Sequence, residues 1–337
     1  MKITNQIIQF VKKIPGIQQL YNFIFKNTPG SWIFTKQNLS WLFIPSNYKS
    51  LPFNYKIFSI FCHYTLKNNN KFIGSEVIHY LLSSFTRVCN LKNYCSIDIN
   101  SYTVFLSLTD PRSLIVPNEI ENGREIALLH DFLEPGDTFV DIGANHGSFS
   151  IVASKIVGQN GLVMAIEPQP ILANLIEKSL STNAYSPFKV FQVACSDKNG
   201  TEKFYIPKST SGSAGVFKGF SAISATEEIT VELIKFDNLV SNYSLTGNLF
   251  FKLDIEGSEL NFLKGASKGI KMKQPKIMIE INPRSMNAAG TTSNDLITLL
   301  NELGYSNYRE IKNSTVNSLN TLNFSRQQNI IILPKKT

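Results

Sequence analysis

A glycine-rich stretch, Asp141-Ile-Gly-Ala-Asn-His-Gly147, is the part of the sequence whose residue types and spacing most clearly indicate chemistry. It follows an apolar run typical of a buried strand, so it is expected at the carboxyl end of that strand, where parallel sheets bind ligands. Two glycines let the backbone turn and approach a ligand, and N–H groups at the next helix start attract an anion. Asn145 stands where the dinucleotide fingerprint needs its second glycine, which disfavours a nicotinamide dinucleotide.

A second candidate, Glu167, ends the next predicted strand. An acidic side chain at this place can accept hydrogen bonds from both hydroxyls of a ribose. The loop and Glu167 together indicate a nucleoside cofactor that lacks a pyrophosphate and carries an anionic end. S-adenosylmethionine, which joins adenosine to an amino acid, fits this description. Taken alone, each motif is also typical of a tight turn or of a solvated strand end.

The stretch Lys252-Leu-Asp254-Ile-Glu256-Gly257 indicates the reacting side of the site. Alternate side chains of a strand share a face, so Lys252 and Asp254 are expected to point together, with Glu256 just beyond the strand end. Methyl transfer from a sulfonium chiefly requires alignment, but a hydroxyl acceptor must also lose a proton. Asp254 is therefore the first candidate for a catalytic base or acceptor-orienting group, and Glu256 is the second. Lys252 and Glu259 are expected to be solvated or paired charges that fix the loop.

A metal-assisted version of this chemistry stays open. Asp254, Glu280 and Asn282 are predicted at strand ends and could supply the oxygen ligands that Mg²⁺ takes. Such an ion would lower the pKa of the acceptor hydroxyl and remove the need for a strong base. Oxygens at strand ends are also common without a metal. His146 is a further candidate base, although a histidine in such a loop is more often a polar neighbour.

A parallel sheet is needed to bring these motifs together, and the hydrophobic pattern after Pro135 alternates between strand and helix as such a sheet requires. Strands are predicted at 138–142, 162–166, 190–194, 249–253, 277–281 and 329–333. Helices are predicted at 148–157, 170–183, 259–264 and 294–303, with a Ser- and Gly-rich insertion at 207–226. Upstream, the pattern predicts amphipathic helices over 3–25, a helix at 76–85, two strands over 96–108, a strand at 114–116 and a helix at 121–132.

Five motifs in this order resemble the FkbM family of S-adenosylmethionine-dependent methyltransferases over about residues 100–310. They are Val140–Asn145, Ile166–Pro168, Ala194 with Ser196-Asp197 and Gly200, Lys252–Glu259, and Pro275 with Ile279-Glu280. The resemblance implies an α/β class I methyltransferase fold, with a Rossmann-like, seven-stranded, mostly parallel sheet, an antiparallel last strand and helices on both faces. It also implies methylation of a hydroxyl on a sugar, glycan or natural product. By this resemblance the cofactor-binding residues are Asp141, Gly143, Asn145, Gly147, Glu167, Ser196 and Asp197, the last two bordering the adenine.

The net charge of +8 is concentrated at the N-terminus, because residues 1–75 contain nine lysines and no Asp, Glu or Arg. Lysines beside many aromatics favour an anionic membrane surface, whereas the lack of arginine disfavours nucleic acid. The alternative role for this segment is packing as a small helical domain against the catalytic sheet or in a dimer contact, which the apolar stripes favour slightly because such stripes usually face protein core. We predict a mainly helical extension over 1–95 and a methyltransferase domain over 96–337.

Neither a signal peptide nor a transmembrane span is recognisable, so a cytoplasmic protein with peripheral contact at the inner membrane face is expected. Two rival functions stay open: a nicotinamide-dependent oxidoreductase, and a non-catalytic, membrane-peripheral binding module on the same scaffold. The missing dinucleotide fingerprint weakens the first. The second gives no physical reason for Asp141, Glu167 and Asp254 to surround one crevice.

Overall fold

The computed structural model describes residues 52, 55, 93–207, 211–217, 226–312 and 315–335. All of them lie in the compact unit Ile44–Thr337. The helices predicted over 3–25 and at 76–85 lie outside the described residues. Within the described ranges, no helix is long and apolar enough to cross a membrane.

The described chain consists of strands, helices and three short 3₁₀ turns. The strands are β1 (Tyr94–Ile99), β2 (Tyr102–Ser107), β3 (Thr138–Ile142), β4 (Leu162–Ile166), β5 (Phe188–Phe191), β6 (Ala194–Cys195), β7 (Gly200–Pro207), β8 (Thr226–Ile234), β9 (Leu249–Leu253), β10 (Lys276–Ile281), β11 (Tyr305–Glu310), β12 (Val316–Ser318) and β13 (Gln328–Pro334). The helices are α1 (Val116–Asn122), α2 (Arg124–Phe132), α3 (Ser148–Val157), α4 (Pro170–Asn183), α5 (Phe236–Leu239), α6 (Glu259–Gly265), α7 (Ser267–Lys273), α8 (Pro283–Ala288) and α9 (Ser293–Glu302). The 3₁₀ turns are Pro111–Leu114, Ser211–Ser213 and Leu319–Thr321.

The main sheet of the described residues has eight strands in the order β12-β11-β13-β10-β9-β3-β4-β5. Strands β3, β4, β5, β9 and β10 pair in parallel, whereas β13 is antiparallel to both of its neighbours. The chain runs outward from β3 to β5 and then returns to place β9 against the other side of β3. This is the class I methyltransferase order with β12 added at one edge, so the predicted fold class is confirmed.

Both faces of this sheet are covered, because successive residues of the central strands join two different hydrophobic clusters. Phe139 and Phe250 pack with residues of α3 and α4, whereas Val140 and Phe251 pack with residues of α6, α7 and α9. Burial on two faces explains why these strands are apolar throughout and do not alternate. The parallel strands consequently end at one edge, where the loops that follow them meet.

Two predictions upstream of β3 were wrong. The predicted strand at 114–116 is instead the end of the 3₁₀ turn Pro111–Leu114 and the start of α1. Asp110 accepts a hydrogen bond from the Arg112 N–H, and Pro111 stands at the first position of the turn, which are signals for a helical start. The predicted helix at 121–132 is also two helices, since Gly123 is extended between α1 and α2. The two strands predicted over 96–108 are confirmed as the hairpin β1–β2.

Downstream of β4 the sequence pattern was misleading in two places. The strand predicted at 190–194 is split: Phe188–Phe191 joins the main sheet, whereas Ala194–Cys195 joins a second sheet of order β6-β8-β7. The flanks of the Ser- and Gly-rich insertion form the β7–β8 hairpin of that sheet. Strand β11 was missed because only Tyr305 and Tyr308 of its six residues are buried, so it lacks the alternation that indicates a strand.

Candidate active site

The loops at the carboxyl ends of the parallel strands surround a cavity of about 430 Å³, within the range of small-molecule sites. The predicted site residues that line it are Gly143, Asn145, Glu167, Ser196, Asp254, Glu256 and Glu280. Those that lie outside its lining are Asp141, Gly147, Asp197 and Asn282. The sheet therefore brings two groups of residues to one cavity: the loop 143–147 after β3, called the glycine loop below, and the carboxylates near the carboxyl ends of β9 and β10.

The glycine loop lies close against the loop that follows β9. A Cβ atom on Gly143, where φ is +80°, would lie 2.1 Å from the Asp254 carbonyl oxygen and 2.9 Å from Ile255 Cγ2. Gly147 has a φ of +77°, and a Cβ there would lie 3.1 Å from Ile176 Cγ1 of α4. Only glycine combines this backbone conformation with so close an approach. Gly143 therefore lets the glycine loop approach the loop after β9, and Gly147 lets it approach α4.

Glu167 holds the glycine loop in place at the end of β4. Its carboxylate accepts the Asn145 N–H at 2.8 Å and the Gln169 N–H at 3.0 Å, and the residue is only 3% exposed. Burial raises the pKa of Glu167 to about 7, although the two backbone hydrogen bonds act in the opposite direction. Because Glu167 also lines the cavity, one residue both supports the glycine loop and borders the candidate site.

Asp141 lies beneath the cavity and pairs with side chains rather than facing the cavity. Its Oδ2 accepts the Ser150 Oγ hydrogen at 2.7 Å, while its buried Oδ1 has no hydrogen-bond partner within the described part of the chain and lies 3.9 Å from Lys252 Nζ. Lys252 Nζ also lies 3.1 Å from Asp254 Oδ2. Burial lowers the pKa of Lys252, but Asp254 and Asp141 outweigh burial and raise it overall. Lys252 is therefore a paired charge that links β3 to the end of β9.

Three carboxylates form an acidic cluster at the ends of β9 and β10. One oxygen from each of Asp254, Glu256 and Glu280 lies within 4.8 Å of the others. Glu256 Oε2 accepts the Ser285 Oγ hydrogen at 2.7 Å, and Gln327 Nε2 donates to Glu280 Oε1 at 2.6 Å. Burial raises the pKa of Glu256 to about 8, and burial together with Asp254 raises that of Glu280. The acidic cluster is therefore suited to sharing a proton or a cation.

Asn282, one of the predicted metal ligands, does not face the acidic cluster with its oxygen. Its Oδ1 accepts the N–H groups of Arg284 at 3.2 Å and Ser285 at 3.4 Å, which caps the start of α8. Its amide nitrogen lies 3.3 Å from Glu256 Oε2. Glu256, and not Asn282, is therefore the third residue whose oxygen lies close to those of Asp254 and Glu280. The metal itself stays a prediction.

Glu259 fixes the loop between β9 and α6. It is 6% exposed, and its two oxygens accept the N–H groups of Ile255 at 3.2 Å and Gly257 at 3.0 Å. Burial raises its pKa to about 7. Gly257 has a φ of +101°, and a Cβ there would lie 2.6 Å from the Ser285 carbonyl oxygen. Glu259 lies outside the cavity lining, so its place agrees with the loop-fixing role expected from the sequence.

The two residues predicted to border an adenine differ in their access to the cavity. Ser196 lines it, and its Oγ donates to Asp197 Oδ1 at 3.2 Å, whereas Asp197 lies outside the lining. A Cβ on Gly265 of α6 would lie 1.9 Å from the Ser196 carbonyl oxygen. The close packing of α6 therefore fixes the Ser196 backbone beside the cavity.

His146 is buried with partners at both ring nitrogens. Its Nδ1 lies 2.6 Å from Asn145 Oδ1, and its Nε2 lies 3.1 Å from Ser113 Oγ and 3.6 Å from Asp110 Oδ2. Burial lowers the pKa of His146, and Asp110 opposes this only in part. This geometry favours the expectation that His146 is a polar neighbour of the glycine loop over the expectation that it is a catalytic base.

Comparison with protein families agrees with this geometry. Residues 141–306 match the model of the methyltransferase FkbM domain. The chain contains an FkbM methyltransferase domain. The resemblance inferred from the five motifs is thereby confirmed.

Individual proteins and solved structures are similar to this chain only over part of its length. A protein-L-isoaspartate O-methyltransferase from Methanococcus aeolicus is 31% identical over 103 residues, which are 25% of this chain and 48% of the relative. The chain thus spans about half the length of that relative. Similar solved structures include methyltransferase FkbM from Methylobacillus flagellatus KT, with a TM-score of 0.35, 19% identity and coverage of 66% of this chain and 54% of that chain. Another is TYW2 from M. jannaschii in complex with AdoMet, with a TM-score of 0.36, 13% identity and coverage of 72% and 84%.

Sequence reasoning missed two charged residues that line the cavity upstream of the FkbM domain match. Arg112 and Glu119 form an ion pair there. The only local signal was the Asp110-Pro111 dipeptide, which indicates a helical start and would have excluded the strand predicted at 114–116. Nothing in that signal says which side chains reach the cavity.

The described part of the Ser- and Gly-rich insertion also contributes to the cavity, through Ser211, Gly212, Ser213, Ala214, Val216 and Phe217. Asn145 Nδ2 donates to Ser211 Oγ at 2.9 Å, and the Ser211 N–H donates to Asp110 Oδ1 at 3.1 Å. The insertion thereby connects the glycine loop of the FkbM domain to the turn that carries Arg112.

Proposed function

We propose that this protein is an S-adenosylmethionine-dependent O-methyltransferase that methylates a hydroxyl of a sugar, glycan or natural product. The FkbM domain supports methyl transfer. The observation that carries the proposal is that the glycine loop, Glu167 and Asp254 line one cavity of small-molecule size. A nucleoside cofactor and a hydroxylated acceptor could therefore meet between the ends of β3 and β9.

The residues present fit S-adenosylmethionine. Gly143 and Asn145 of the glycine loop line the cavity, Glu167 presents a carboxylate for ribose hydroxyls, and Ser196 lines the cavity where the adenine is expected. When bound, S-adenosylmethionine supplies a methyl group on an already activated leaving group. The protein's own task is then to orient an acceptor and to remove its proton.

Asp254 is the residue best placed for that task. About a third of its side chain is exposed (37%), it lines the cavity, and Lys252 Nζ holds one of its oxygens at 3.1 Å. A carboxylate fixed on one side and open on the other can accept a hydrogen bond from a hydroxyl and take its proton. Glu256 lies in the same acidic cluster and is the second candidate.

The proposal can be tested first at the cofactor. Calorimetric titration of the full-length protein with S-adenosylhomocysteine should show one site, and titration with NAD⁺ should show none. Binding of NAD⁺ without binding of S-adenosylhomocysteine would favour the oxidoreductase and contradict the proposal.

The acceptor can be sought by deleting the gene and comparing glycans and small metabolites by mass spectrometry. We expect at least one hydroxylated species that lacks a methyl group in the deletion strain and regains it on complementation. Complementation with the Asp254→Asn variant separates catalysis from scaffold, because a non-catalytic binding module would act equally well with either residue.

We also propose that residues 1–75 bring the protein to an anionic membrane surface or to a lipid-linked acceptor. The support is their nine lysines without any acidic residue, since each lysine contributes about 1 kcal/mol near an acidic leaflet. Flotation with liposomes should require anionic lipid and weaken as salt is raised. A protein that floats under neither condition would leave this segment with a packing role.

A further inference from the structure

An ion pair upstream of the FkbM domain match, between Arg112 and Glu119, lines the same cavity as the glycine loop. About a fifth of each side chain is exposed, 20% for Arg112 and 21% for Glu119. Arg112 Nη2 contacts the Glu119 carboxylate, whereas Arg112 Nη1 is buried and has no hydrogen-bond partner among the described residues. Leaving a buried guanidinium nitrogen without an acceptor is unfavourable, so a small shift of the side chain that brings it to an acceptor on a ligand in the cavity would stabilise it.

The Arg112–Glu119 pair is anchored beside the proposed cofactor loop. Ser148, the first residue of α3, donates from Oγ to Glu119 Oε2 at 3.0 Å. The Arg112 N–H donates to Asp110 Oδ1 at 3.1 Å, and the same oxygen accepts the Ser211 N–H. The pair therefore has a fixed position next to the helix start that ends the glycine loop.

The chemistry of the pair matches an amino-acid zwitterion. The planar guanidinium of arginine binds a carboxylate with two parallel hydrogen bonds, and a glutamate oxygen accepts from an ammonium group. The adjoining helix start adds backbone N–H groups that favour an anion. A ligand that carries both an α-carboxylate and an α-ammonium would thus meet partners of both signs at one place.

We propose that Arg112 and Glu119 bind the amino-acid end of S-adenosylmethionine, an inference that rests on the proposed function. The charge distribution favours the cofactor over an anionic acceptor as the occupant. The cavity also contains the acidic cluster of Asp254, Glu256 and Glu280, which would repel an anionic acceptor. The Arg112–Glu119 pair is instead tied through Ser148 and Ser211 to the loop where the cofactor is expected.

Two ligands that differ only at the amino-acid end test this directly. S-adenosylhomocysteine carries that end, whereas 5′-methylthioadenosine keeps the nucleoside and the thioether without it. In calorimetry on the full-length protein, Arg112→Ala should weaken S-adenosylhomocysteine by at least about tenfold and leave 5′-methylthioadenosine within about twofold of the wild type. Arg112→Lys should fall between the two, because lysine keeps the charge but not the fork.

The remaining variants make the test specific. Glu119→Gln should also weaken only S-adenosylhomocysteine, by several-fold. Lys198→Ala is the matched control, since it removes a cation that lines the same cavity but pairs with Glu202 on the exposed side, and it should change neither affinity. Retained binding of 5′-methylthioadenosine shows that a variant is folded.

Two results would overturn the inference while leaving the proposed function intact. Equal losses for both ligands would mean that the pair only supports the fold. Unchanged affinity of Arg112→Ala for S-adenosylhomocysteine would mean that the pair does not contact the cofactor. A wild-type protein that binds neither ligand would instead contradict the proposed function itself.

Discussion

Glu167 and Glu259 are buried glutamates that support loops at the carboxyl edge of the sheet. Each is almost fully buried, and burial raises the pKa of each to about 7. Glu167 accepts one N–H of the glycine loop after β3 and one of Gln169 after β4, whereas Glu259 accepts two N–H groups of the loop after β9. Only Glu167 lines the cavity. A buried glutamate therefore borders the cavity at one of these places and gives purely internal support at the other.

What each loop presents to the cavity also differs. The loop after β3 presents glycine backbone and helix-start N–H groups, which suit a nucleoside with an anionic end. The loop after β9 presents Asp254 and Glu256, which face Glu280 across the acidic cluster. In the proposed function, one of these loops would hold the cofactor and the other would accept a proton or a cation.

The largest expected effect is at the reacting side. Asp254→Asn keeps the shape but removes the negative charge that pairs with Lys252, so methyl transfer should fall about 100-fold or more while S-adenosylhomocysteine affinity changes little. The measurement is transfer of a labelled methyl group from S-adenosylmethionine into extracts of the deletion strain. Asp131→Asn is the control, because that carboxylate is exposed and pairs with Arg309 outside the cavity. Full activity in Asp254→Asn would remove the residue from the reaction.

The next largest effect separates the two buried glutamates. Glu167→Gln should weaken S-adenosylhomocysteine by about 5-fold to 100-fold, because a neutral amide replaces the carboxylate that accepts ribose hydroxyls. Glu259→Gln disturbs the same kind of loop support outside the cavity, so it should change this affinity by less than about threefold. Equal losses in the two variants, measured by calorimetry, would show that Glu167 acts only by shaping its loop.

The parallel part of the fold was predictable from sequence because strands buried on both faces form uninterrupted apolar runs. The runs that became β3, β4, β9 and β10 are of this kind. Strand β11 carries the sequence Tyr-Ser-Asn-Tyr-Arg-Glu and has only two buried residues, so its pairing with β13 supplies information that its own pattern lacks. Tertiary context decided that element.

The candidate site was predictable where the backbone conformation restricts the residue type. Gly143 and Gly147 have a positive φ that favours glycine, and Glu167 was recognisable because it directly follows an apolar strand. Nothing in the sequence indicated that Arg112 and Glu119 line the cavity, because their position depends on how a turn and a short helix pack against α3. Asn282 was placed among the metal ligands because an amide oxygen can bind Mg²⁺. The same oxygen is equally suited to capping a helix, and capping α8 is its contact here.

The pH dependence of cofactor affinity gives a smaller effect that sharpens the same contrast. In the proposed function, ribose hydroxyls donate to the ionised form of Glu167, whose pKa is raised by burial to about 7. Affinity for S-adenosylhomocysteine should therefore rise several-fold between about pH 6 and about pH 8 in the wild type and in Glu259→Gln. Glu167→Gln should show no such rise. A rise that persists in Glu167→Gln would assign the titration to another group.

Protein stability should move in the opposite direction with pH. The pKa values of Glu167 and Glu259 are higher in the folded state than the usual value of 4.5, so the folded state binds more protons between about pH 4.5 and about pH 7. The free energy of unfolding should thus decrease as pH rises through this window. Urea unfolding at about pH 5 and about pH 7.5 should show a smaller decrease in Glu259→Gln than in the wild type. An identical decrease would contradict a raised pKa at Glu259.

The smallest expected effect concerns a cation in the acidic cluster. A divalent ion that binds the folded state alone would raise the melting temperature, by roughly 2–4 °C if about 10 mM Mg²⁺ is tenfold above its Kd. Glu280→Gln removes one of the three carboxylates and should abolish this rise, whereas Glu259→Gln lies outside the cavity and should retain it. Sodium chloride at equal ionic strength controls for screening of the like charges.

If Mg²⁺ and sodium act alike on the wild type, the acidic cluster handles protons, and deprotonation of the acceptor falls to Asp254 or Glu256. If only Mg²⁺ acts, the loop after β9 is a metal-binding side and its contrast with the glycine loop becomes sharper, because the two loops would then hold ligands of opposite charge.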